Sequence, residues 1–341
     1  MGSSLFWTSR SHTRRPPYSQ PMPLQYKTAS SASEAAAVLG SPSTRVLGGG
    51  TDLLVAMECG LDAAQALVDI TRAPELSEVV ESPDGGLRVG AATRLEAIAV
   101  NALVRARFPA LALAAEAVAT PAIRAMGTLG GNLCQRPRCW YLRQRVPCHK
   151  NGGSGCPAAT GENQYHAILG AGSCHAAHPS DLAVALLALG AAVIVRSVSG
   201  QRTLTVDQLF ANAGSDPRSE VALTAGELIE GVELLPGAAG GTQRFTKLMQ
   251  RGAWDFALVS IAAVKRTDGT VRMALGGVAP QPWLVNPSVG EDVASGVLDE
   301  DSADALTARA LHDAKPLEMN GYKVQQAATL LKRAMLELSR T

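Results

Sequence analysis

The stretch Thr44–Met57, TRVLGGGTDLLVAM, predicts a β-strand, a glycine loop and the beginning of a helix. Three consecutive glycines permit positive φ angles and let backbone N–H groups converge on an anion, as in a phosphate-binding nest. The loop is neither G-x-G-x-x-G nor a Walker loop, because no Gly-Lys-Ser/Thr follows it. On the residues alone, Gly48–Gly50 fit both a phosphate site and a plain turn.

A second loop of this kind, MGTLGGN at Met126–Asn132, follows about eighty residues later. Its glycines have the same freedom to direct backbone N–H groups towards an anion. Two such loops, separated by helix and strand patterns, suggest a dinucleotide-type cofactor held between two subdomains.

Local patterns predict further helices and strands on both sides of this second loop. A capping box is predicted at Thr93-x-x-Glu96. The segment SDLAVALLALG predicts a buried helix that begins near Ser180 or Asp181 and ends at Gly190. These elements are typical of a mixed helix and strand domain.

The sequence predicts a domain boundary at Pro236 and the glycine-rich GAAGG that follows it. Beyond it, an apolar run, an Asp268-Gly269 turn and a second strand predict a hairpin. The final helix carries apolar residues at helical spacing, so the last hundred residues predict a smaller α+β unit.

Composition agrees with a globular protein that has a substantial core. Of 341 residues, 46% are hydrophobic and 18% charged, and the net charge of +1 indicates neither a nucleic-acid surface nor an acidic tail. No apolar run reaches the roughly 20 residues needed to span a bilayer. Residues 1–21 are polar, contain prolines and show no periodicity, so they predict a disordered tail.

Five of the six cysteines lie in one glycine-rich segment, and Cys59 stands alone upstream. The five are Cys134, Cys139, Cys148, Cys156 and Cys174. Three interpretations compete. Structural disulfides suit small secreted domains, and a structural zinc site usually shows tight C-x₂₋₄-C spacing. An iron–sulfur cluster takes four thiolates that can arrive from well-separated points of a loop.

The residues around these cysteines favour the cluster while leaving the alternatives open. The turn NGGSGC can direct backbone N–H groups towards sulfide. Four cationic side chains in the segment would offset the negative charge of thiolates and sulfides: Arg138, Arg143, Arg145 and Lys150. Nearby histidines are expected to be surface or packing residues.

Taken together, the motifs GGGTDLL, IRAMGTLGGN and HPSDLAVALLALGA resemble, in order and spacing, the flavoprotein subunit of the molybdenum hydroxylases. This is the family of carbon monoxide dehydrogenase medium subunits and xanthine dehydrogenase FAD domains. The later LGGVAPQPW and QRGAWDFALVSIAAV resemble its C-terminal domain. The resemblance extends from about residue 22 to the end of the chain.

The resemblance implies an α+β fold. It consists of a two-subdomain FAD-binding domain of the vanillyl-alcohol-oxidase (PCMH) type at residues 22–236, with an iron–sulfur loop inserted at about 134–178, and a small α+β C-terminal domain at 240–341. FAD is expected to lie extended between the two subdomains.

The resemblance also implies which residues contact FAD. A first wall, around the diphosphate, is expected from Leu47, Gly48, Gly49, Gly50, Thr51, Asp52, Leu53, Leu54 and Val55. A second wall is expected from Thr120, Thr128, Gly130, Gly131 and Asn132, with further contacts from Asp181, Leu234 and Lys247. A Cβ atom at Gly49 is expected to meet the diphosphate. The alternatives are that Asp181 only caps a helix and that Lys247 is a surface charge.

RCWYLR, PCHK, GSGCPA and C-x₃-HPSD further resemble the FAD subunit of bacterial aldehyde oxidoreductases of the periplasmic type. In that branch the segment wraps an additional [4Fe–4S] cluster, and the resemblance implies the ligands Cys139, Cys148, Cys156 and Cys174. Cys134 is left outside the ligand set because the family pattern has an aliphatic residue there.

The implied function is electron transfer within a molybdenum-dependent aldehyde oxidoreductase, and the chain carries no recognisable catalytic residue of its own. Implied partners are a large subunit with molybdopterin and a small subunit with [2Fe–2S] clusters. The alternatives are a stand-alone flavin oxidase or reductase of the same superfold and a zinc-stabilised scaffold. The expected location is the periplasm, through co-export with a signal-bearing partner, or the cytoplasm.

Overall fold

The computed structural model describes residues 23–213 and 215–341 of the chain. These residues form three β-sheets with helices packed against them, which is a mixed helix and strand fold. The disordered tail predicted for residues 1–21 lies outside the described residues, and the vanillyl-alcohol-oxidase-type detail of the fold stays a prediction.

The first sheet has three parallel strands in the order β1-β3-β2. Its elements are β1 Gln25–Thr28, α1 Ala32–Val38, β2 Thr44–Leu47, α2 Leu53–Glu58 and β3 Ala66–Asp69. The predicted glycine loop is therefore the connection from the carboxyl end of β2 to α2, at one edge of this small sheet.

The second sheet has five antiparallel strands in the order β4-β5-β8-β6-β7. The strands are β4 Val79–Glu81, β5 Leu87–Gly90, β6 Ala192–Ser197, β7 Gly200–Thr205 and β8 Leu228–Leu234. The helices are α3 Pro74–Ser77, α4 Leu95–Val100, α5 Ala102–Arg107, α6 Pro109–Glu116, α7 Pro121–Met126, α8 Leu129–Leu133, α9 Trp140–Arg143, α10 Asp181–Leu189 and α11 Val206–Leu209.

The third sheet has four antiparallel strands in the order β12-β11-β10-β9. The elements are β9 Thr242–Leu248, β10 Val259–Lys265, β11 Val271–Gly276, β12 Trp283–Leu284, α12 Pro287–Ala294, α13 Glu300–Ala310 and α14 Tyr322–Ser339. The turn predicted at Asp268-Gly269 joins β10 to β11, and Gly269 has the positive φ that favours glycine.

Helix α10 forms as predicted and lies at the centre of the molecule. The Ser180 hydroxyl accepts a hydrogen bond from the Ala183 N–H and caps the helix, and Gly190 ends it in the left-handed conformation. All nine helical residues are buried, because α10 packs between helix α6 and strands β10 and β11 of the third sheet. A helix that is apolar on every side is expected only where it is enclosed.

The capping box predicted at Thr93-x-x-Glu96 is wrong. Helix α4 has Arg94 at its N-cap position and no side-chain cap. Thr93 is buried, and Glu96 instead accepts a 2.8 Å hydrogen bond from Arg124 of α7. The Glu96 carboxylate therefore forms an ion pair with a residue of another helix and does not cap the N-terminus of α4.

The segment Cys134–His178, hereafter the cysteine excursion, contains one short helix, α9, and two 3₁₀ turns. Two distant parts of the fold hold it. Asp52 accepts hydrogen bonds from its N-terminal end. On the other side, Lys323 at the start of α14 donates to the carbonyl oxygens of Tyr165, His166 and Gly277. The excursion therefore joins the first sheet to the third.

No helix in the described part of the chain is long and apolar enough to cross a membrane.

The buried amide of Gln243 fixes the passage from the second sheet to the third. Its Nε2 donates to the carbonyl oxygens of Ala238 and Gly240, each at 2.9 Å, and its Oε1 accepts from the Ala110 N–H.

Because these backbone groups are enclosed, Gln243→Leu leaves polar groups unpaired and should lower the free energy of unfolding by about 2–3 kcal/mol. Denaturant unfolding measures this change. Gln325→Leu on the exposed face of α14 is the control, and equal effects of the two substitutions would contradict the assignment.

Candidate functional site

The two glycine loops lie against each other. A Cβ atom on Gly49 would come within 1.8 Å of the Met126 carbonyl oxygen, and one on Gly48 within 2.5 Å of the Thr128 hydroxyl. The expectation that a Gly49 side chain would meet a diphosphate is therefore corrected, because the second loop already occupies that position. The close approach of the loops, which glycine allows, is what brings their backbones to one groove.

Each loop has a defined conformation. Gly50 has a φ of 73° and gives the first loop its left-handed turn into α2. In the second loop the Thr128 hydroxyl accepts a 3.2 Å hydrogen bond from the Gly131 N–H. Gly131 leaves open space on its groove side, since a Cβ there would have only the Thr128 hydroxyl, at 3.0 Å, as a near neighbour.

The groove has three consecutive sections. The outer section, about 340 Å³, lies along Gly48–Leu53 and also contacts Arg45, Cys134 and Val221. The central section, also about 340 Å³, contacts Asn132, Asp181, Lys247 and Trp254. Both sections share Thr51, Asp52, Thr128, Gly131 and Gln135, so the two glycine loops meet at their junction.

The inner section, about 350 Å³, continues from the central one and shares Arg138, Asp181 and Phe256 with it. Its own wall includes Cys139 and Trp140 from the cysteine excursion. The three sections together form an elongated groove, as an extended dinucleotide requires, and its inner end reaches the cysteines.

Eleven of the predicted FAD-contacting residues line this groove. They are Gly48, Gly49, Gly50, Thr51, Asp52, Leu53, Thr128, Gly131, Asn132, Asp181 and Lys247. The structure brings these residues together from the first sheet, from α8, from α10 and from β9.

Six predicted residues are not among those that line the groove. Leu54 and Val55 are on the exposed face of α2, and Leu47 ends β2. Gly130 packs against Ala91 behind the second loop, and Thr120 caps α7 through its hydroxyl. Leu234 is 1% exposed and belongs to the core between α6 and the second sheet, so its side chain serves packing.

Asp181 and Lys247 form a buried ion pair on the groove wall. Their carboxylate and ammonium groups are 2.7 Å apart, and the Lys247 and Asp181 side chains are 3% and 5% exposed. The interpretations of Lys247 as a surface charge and of Asp181 as a simple helix cap are therefore wrong, since Ser180 is the cap. Burial raises the pKa of Asp181, and the neighbouring Lys247 opposes that shift.

Four of the cysteines converge on one small cavity beside the inner section. It is lined by Cys139, Cys148, Cys156 and Cys174, together with Lys150. Cys134 lies elsewhere, on the outer section of the groove. None of the six cysteines, all of which are in the described ranges, forms a disulfide. The four cysteines singled out by resemblance therefore lie together.

The thiols in this cavity interact directly. A hydrogen bond from the Cys174 thiol lowers the pKa of Cys156 to about 5 and raises that of Cys174. The cavity, about 10 Å³, has room for about one water molecule. Across the residues described, no group of three or more His, Cys, Asp or Glu side chains has the arrangement of a metal site.

The cations of the excursion have different partners from those expected. Arg138 and Arg143 share the single Asp52 carboxylate, at 2.7 and 3.0 Å, and neither of them lines the cysteine cavity. Lys150 pairs with Glu220 at 3.1 Å but also lines the cysteine cavity, where its charge favours the thiolate of Cys174. Only Lys150 is therefore in a position to offset charge inside that cavity.

Two buried histidines were expected to serve packing alone. His166 Nε2 lies 3.3 Å from Cys139 Sγ, and burial lowers the pKa of His166 to about 4. His178 packs edge-on against Phe210 on the wall of the inner section, and burial lowers its pKa to about 3. Both rings are neutral near pH 7.

Sequence reasoning missed most of the inner section. Trp140, Tyr165, Phe256 and Ser260 come from segments far apart in the chain. The usable signal was the clustering of aromatic residues near the cysteines in a protein with only 4% aromatic residues.

Comparisons with known proteins agree with this geometry. The family model described as "FAD binding domain in molybdopterin dehydrogenase" matches residues 22–236. The aldehyde oxidoreductase FAD-binding subunit PaoB of Escherichia coli K12 is 35% identical over 87% of this chain and 92% of its own. The carbon monoxide dehydrogenase medium chain of Hydrogenophaga pseudoflava is 25% identical over 92% and 96%.

Solved structures share the fold. A carbon monoxide dehydrogenase from Hydrogenophaga pseudoflava aligns with a TM-score of 0.70 over 94% of this chain and 98% of the solved one, at 23% identity. Quinoline 2-oxidoreductase from Pseudomonas putida 86 gives a TM-score of 0.69 over 93% and 97%, at 22% identity.

Gly131→Val tests the groove as the FAD site. The new side chain would enter the space between the outer and central sections, so FAD content should fall at least about tenfold. The free energy of unfolding of the FAD-free protein should change by less than about 1 kcal/mol. FAD content is measured on the purified protein, with Gly296→Val at an open surface position as the control. Full FAD occupancy in Gly131→Val would remove the glycine loops from the site.

His178 makes stability depend on pH. Its pKa is about 3 in the folded chain and near 6.5 when unfolded, so the unfolded state binds the extra proton between these values. Stability from this group is present above pH 6.5 and decreases, by a few kcal/mol, as the pH falls towards 3. Denaturant unfolding across this range should show a shallower decrease for His178→Leu than for the exposed control His312→Leu. Equal slopes for the two variants would contradict the assignment.

Proposed function

This chain belongs to the family of FAD-binding domains of molybdopterin dehydrogenases, and from that premise we propose that it is the FAD- and [4Fe–4S]-carrying electron-transfer subunit of a molybdenum-dependent aldehyde oxidoreductase. FAD binding and membership of an oxidoreductase complex follow from the family. Three points go beyond the family and are our proposal. The chain also binds a [4Fe–4S] cluster, the substrate of the complex is an aldehyde, and electrons pass through this chain to an external acceptor.

One observation carries the proposal: the cavity lined by four cysteines and the groove lined by both glycine loops share Cys139. Four thiolates are the ligand set of a [4Fe–4S] cluster. Cys139, Cys148, Cys156 and Cys174 would hold such a cluster, and Cys139 would then lie between it and the inner end of the groove.

FAD, when bound, supplies the chemistry by exchanging electrons singly or in pairs. The protein's own residues bind and orient it. Backbone N–H groups of Gly48–Gly50 and of the second loop would hold its diphosphate. The Asp181–Lys247 pair fixes charge on the wall of the central section, where a buried carboxylate can accept from a cofactor hydroxyl or N–H group. No residue of the groove is assigned an acid or base role towards an aldehyde.

Partner subunits follow from the same proposal. The large one would hold molybdopterin and oxidise the aldehyde, and the small one would pass electrons through [2Fe–2S] clusters to this chain. The names of the relatives, an FAD-binding subunit and a medium chain, support an assembly of this kind. Such a complex would act in the periplasm after co-export with a signal-bearing partner, or in the cytoplasm.

Cys156→Ser tests the cluster. Protein purified without oxygen should contain about four iron atoms and four sulfides per chain in addition to FAD. Cys156→Ser removes one ligand and should reduce iron content or convert the cluster to a smaller one. Cys59→Ser and Cys134→Ser, which lie outside the cavity, are matched controls and should keep the iron.

Iron analysis and the visible spectrum together give the outcome. A brown shoulder on the yellow flavin bands is expected for the unaltered protein. A flavin spectrum without iron would support the alternative of a stand-alone flavin oxidase or reductase. Colourless protein that contains zinc would support the alternative of a zinc-stabilised scaffold. Undiminished iron in Cys156→Ser would mean that the ligands are assigned wrongly.

A further inference from the structure

A buried histidine contacts one cysteine of the cavity. His166 Nε2 lies 3.3 Å from Cys139 Sγ, which is within hydrogen-bond distance for sulfur, and His166 is 3% exposed. Cys139 is also the cysteine that borders both the cavity and the inner section of the groove. The contact is therefore made to the sulfur on the wall that the cavity and the groove share.

The His166 ring is held in place from several directions. The backbone N–H of His166 donates to the Asn163 carbonyl oxygen at 3.0 Å, and its own carbonyl oxygen accepts from Lys323 Nζ at 3.0 Å. The rings of Trp140 and Tyr141 lie beside the imidazole, with centroids 5.8 and 6.1 Å away. Buried contacts on both the backbone and the ring thus keep Nε2 directed at the sulfur.

The charge of the sulfur decides which atom donates in this pair. A thiol and a neutral imidazole can form the hydrogen bond in either sense, whereas a thiolate has no proton and can only accept. The other ring nitrogen, Nδ1, is buried and has no partner among the described residues, so no acceptor holds the proton there. With a thiolate at Cys139, the imidazole proton is therefore placed on Nε2.

Backbone groups make the same kind of contact with this sulfur. Cys139 is the N-cap residue of α9. Burial raises the pKa of Cys139, and hydrogen bonds from the backbone N–H groups of Leu142 and Tyr141 oppose that shift. These two donors belong to the helix backbone whichever side chains the helix carries. His166 is the donor that a side-chain substitution can remove.

We propose that His166 is a positioning residue that donates its Nε2–H to the Cys139 thiolate and so raises the reduction potential of a cluster bound by the four cysteines. This inference rests on the proposed function, because it requires that cluster. Hydrogen bonds to the sulfurs are among the factors that set the potential of iron–sulfur clusters. An added electron makes the thiolate sulfur more negative, so the hydrogen bond is stronger in the reduced state and favours reduction.

The pair does not suit nucleophilic catalysis. A cysteine nucleophile needs a stable thiolate, as a neighbouring cationic imidazole provides. Here burial acts against both charges, because it raises the pKa of Cys139 and lowers the pKa of His166 to about 4. A coordinated metal ion is what would deprotonate this thiol.

The test compares three variants of the complete complex, purified without oxygen. His166→Leu removes the donor and keeps an apolar side chain in the space, His166→Gln keeps an N–H group, and His312→Leu is an exposed control. Iron and FAD are assayed in every preparation. The reduction potential of the [4Fe–4S] cluster is measured by redox titration, followed through its paramagnetic resonance signal at low temperature.

We expect His166→Leu to lower the equilibrium constant for one-electron reduction of the cluster about tenfold, which is about 59 mV. His166→Gln and His312→Leu should stay within about twofold of the unaltered complex. Water that entered at the altered position would shift the constant upward, because water stabilises the more highly charged reduced state. The direction of the shift therefore separates the loss of a donor from a gap in packing. Loss of iron from His166→Leu, with His166→Gln unaltered in iron and potential, would also support the donor role.

Three results would overturn the role of His166. An unchanged potential in His166→Leu with full iron would mean that the hydrogen bond does not affect the cluster. An equal decrease in His166→Leu and His166→Gln would assign the effect to the shape of the ring. Loss of iron from both variants would make the ring an iron ligand or a structural requirement. All three leave the proposed function intact, whereas unaltered complex without iron would contradict the cluster itself.

Discussion

The carboxylate of Asp52 is the contact on which the arrangement of the site depends. It belongs to the first glycine loop, yet it accepts the Arg136 N–H at 2.8 Å and pairs with Arg138 and Arg143 of the cysteine excursion. These charges are mostly shielded from solvent, so the contacts are stronger than those of exposed ion pairs. One side chain thereby holds the anion-binding loop next to the cysteines, and the groove and the cavity come to share a wall.

A second attachment acts from the opposite side. Asn320 and Lys323, both 0% exposed, donate to backbone carbonyl oxygens of the excursion around His166, and burial lowers the pKa of Lys323 to about 7. The excursion has little regular structure, and a segment of that kind keeps one conformation only where its backbone groups find partners. It is thus fixed on both sides, by Asp52 and by the start of α14.

Sequence reasoning succeeded where the physical cause is local. Glycine in the loops, Ser180 and Gly190 at the ends of α10, and the Asp268-Gly269 turn each follow from the conformational preference of a few adjacent residues. It failed where a distant partner decides. Glu96 pairs with Arg124 instead of capping its own helix. The buried Asp181–Lys247 pair joins residues 66 positions apart, and resemblance, not spacing, pointed to both. The inner section unites residues from five separate runs of the chain, between residues 138 and 277, so no local pattern could define it.

Anomalous diffraction at the iron absorption edge, from crystals of the complex grown without oxygen, tests the central claim most directly. The account predicts one compact group of iron atoms enclosed by Cys139, Cys148, Cys156 and Cys174, with FAD density along the two glycine loops and the shared wall between them. FAD density with no iron signal at these cysteines, or sulfur atoms joined in disulfides there, would contradict it.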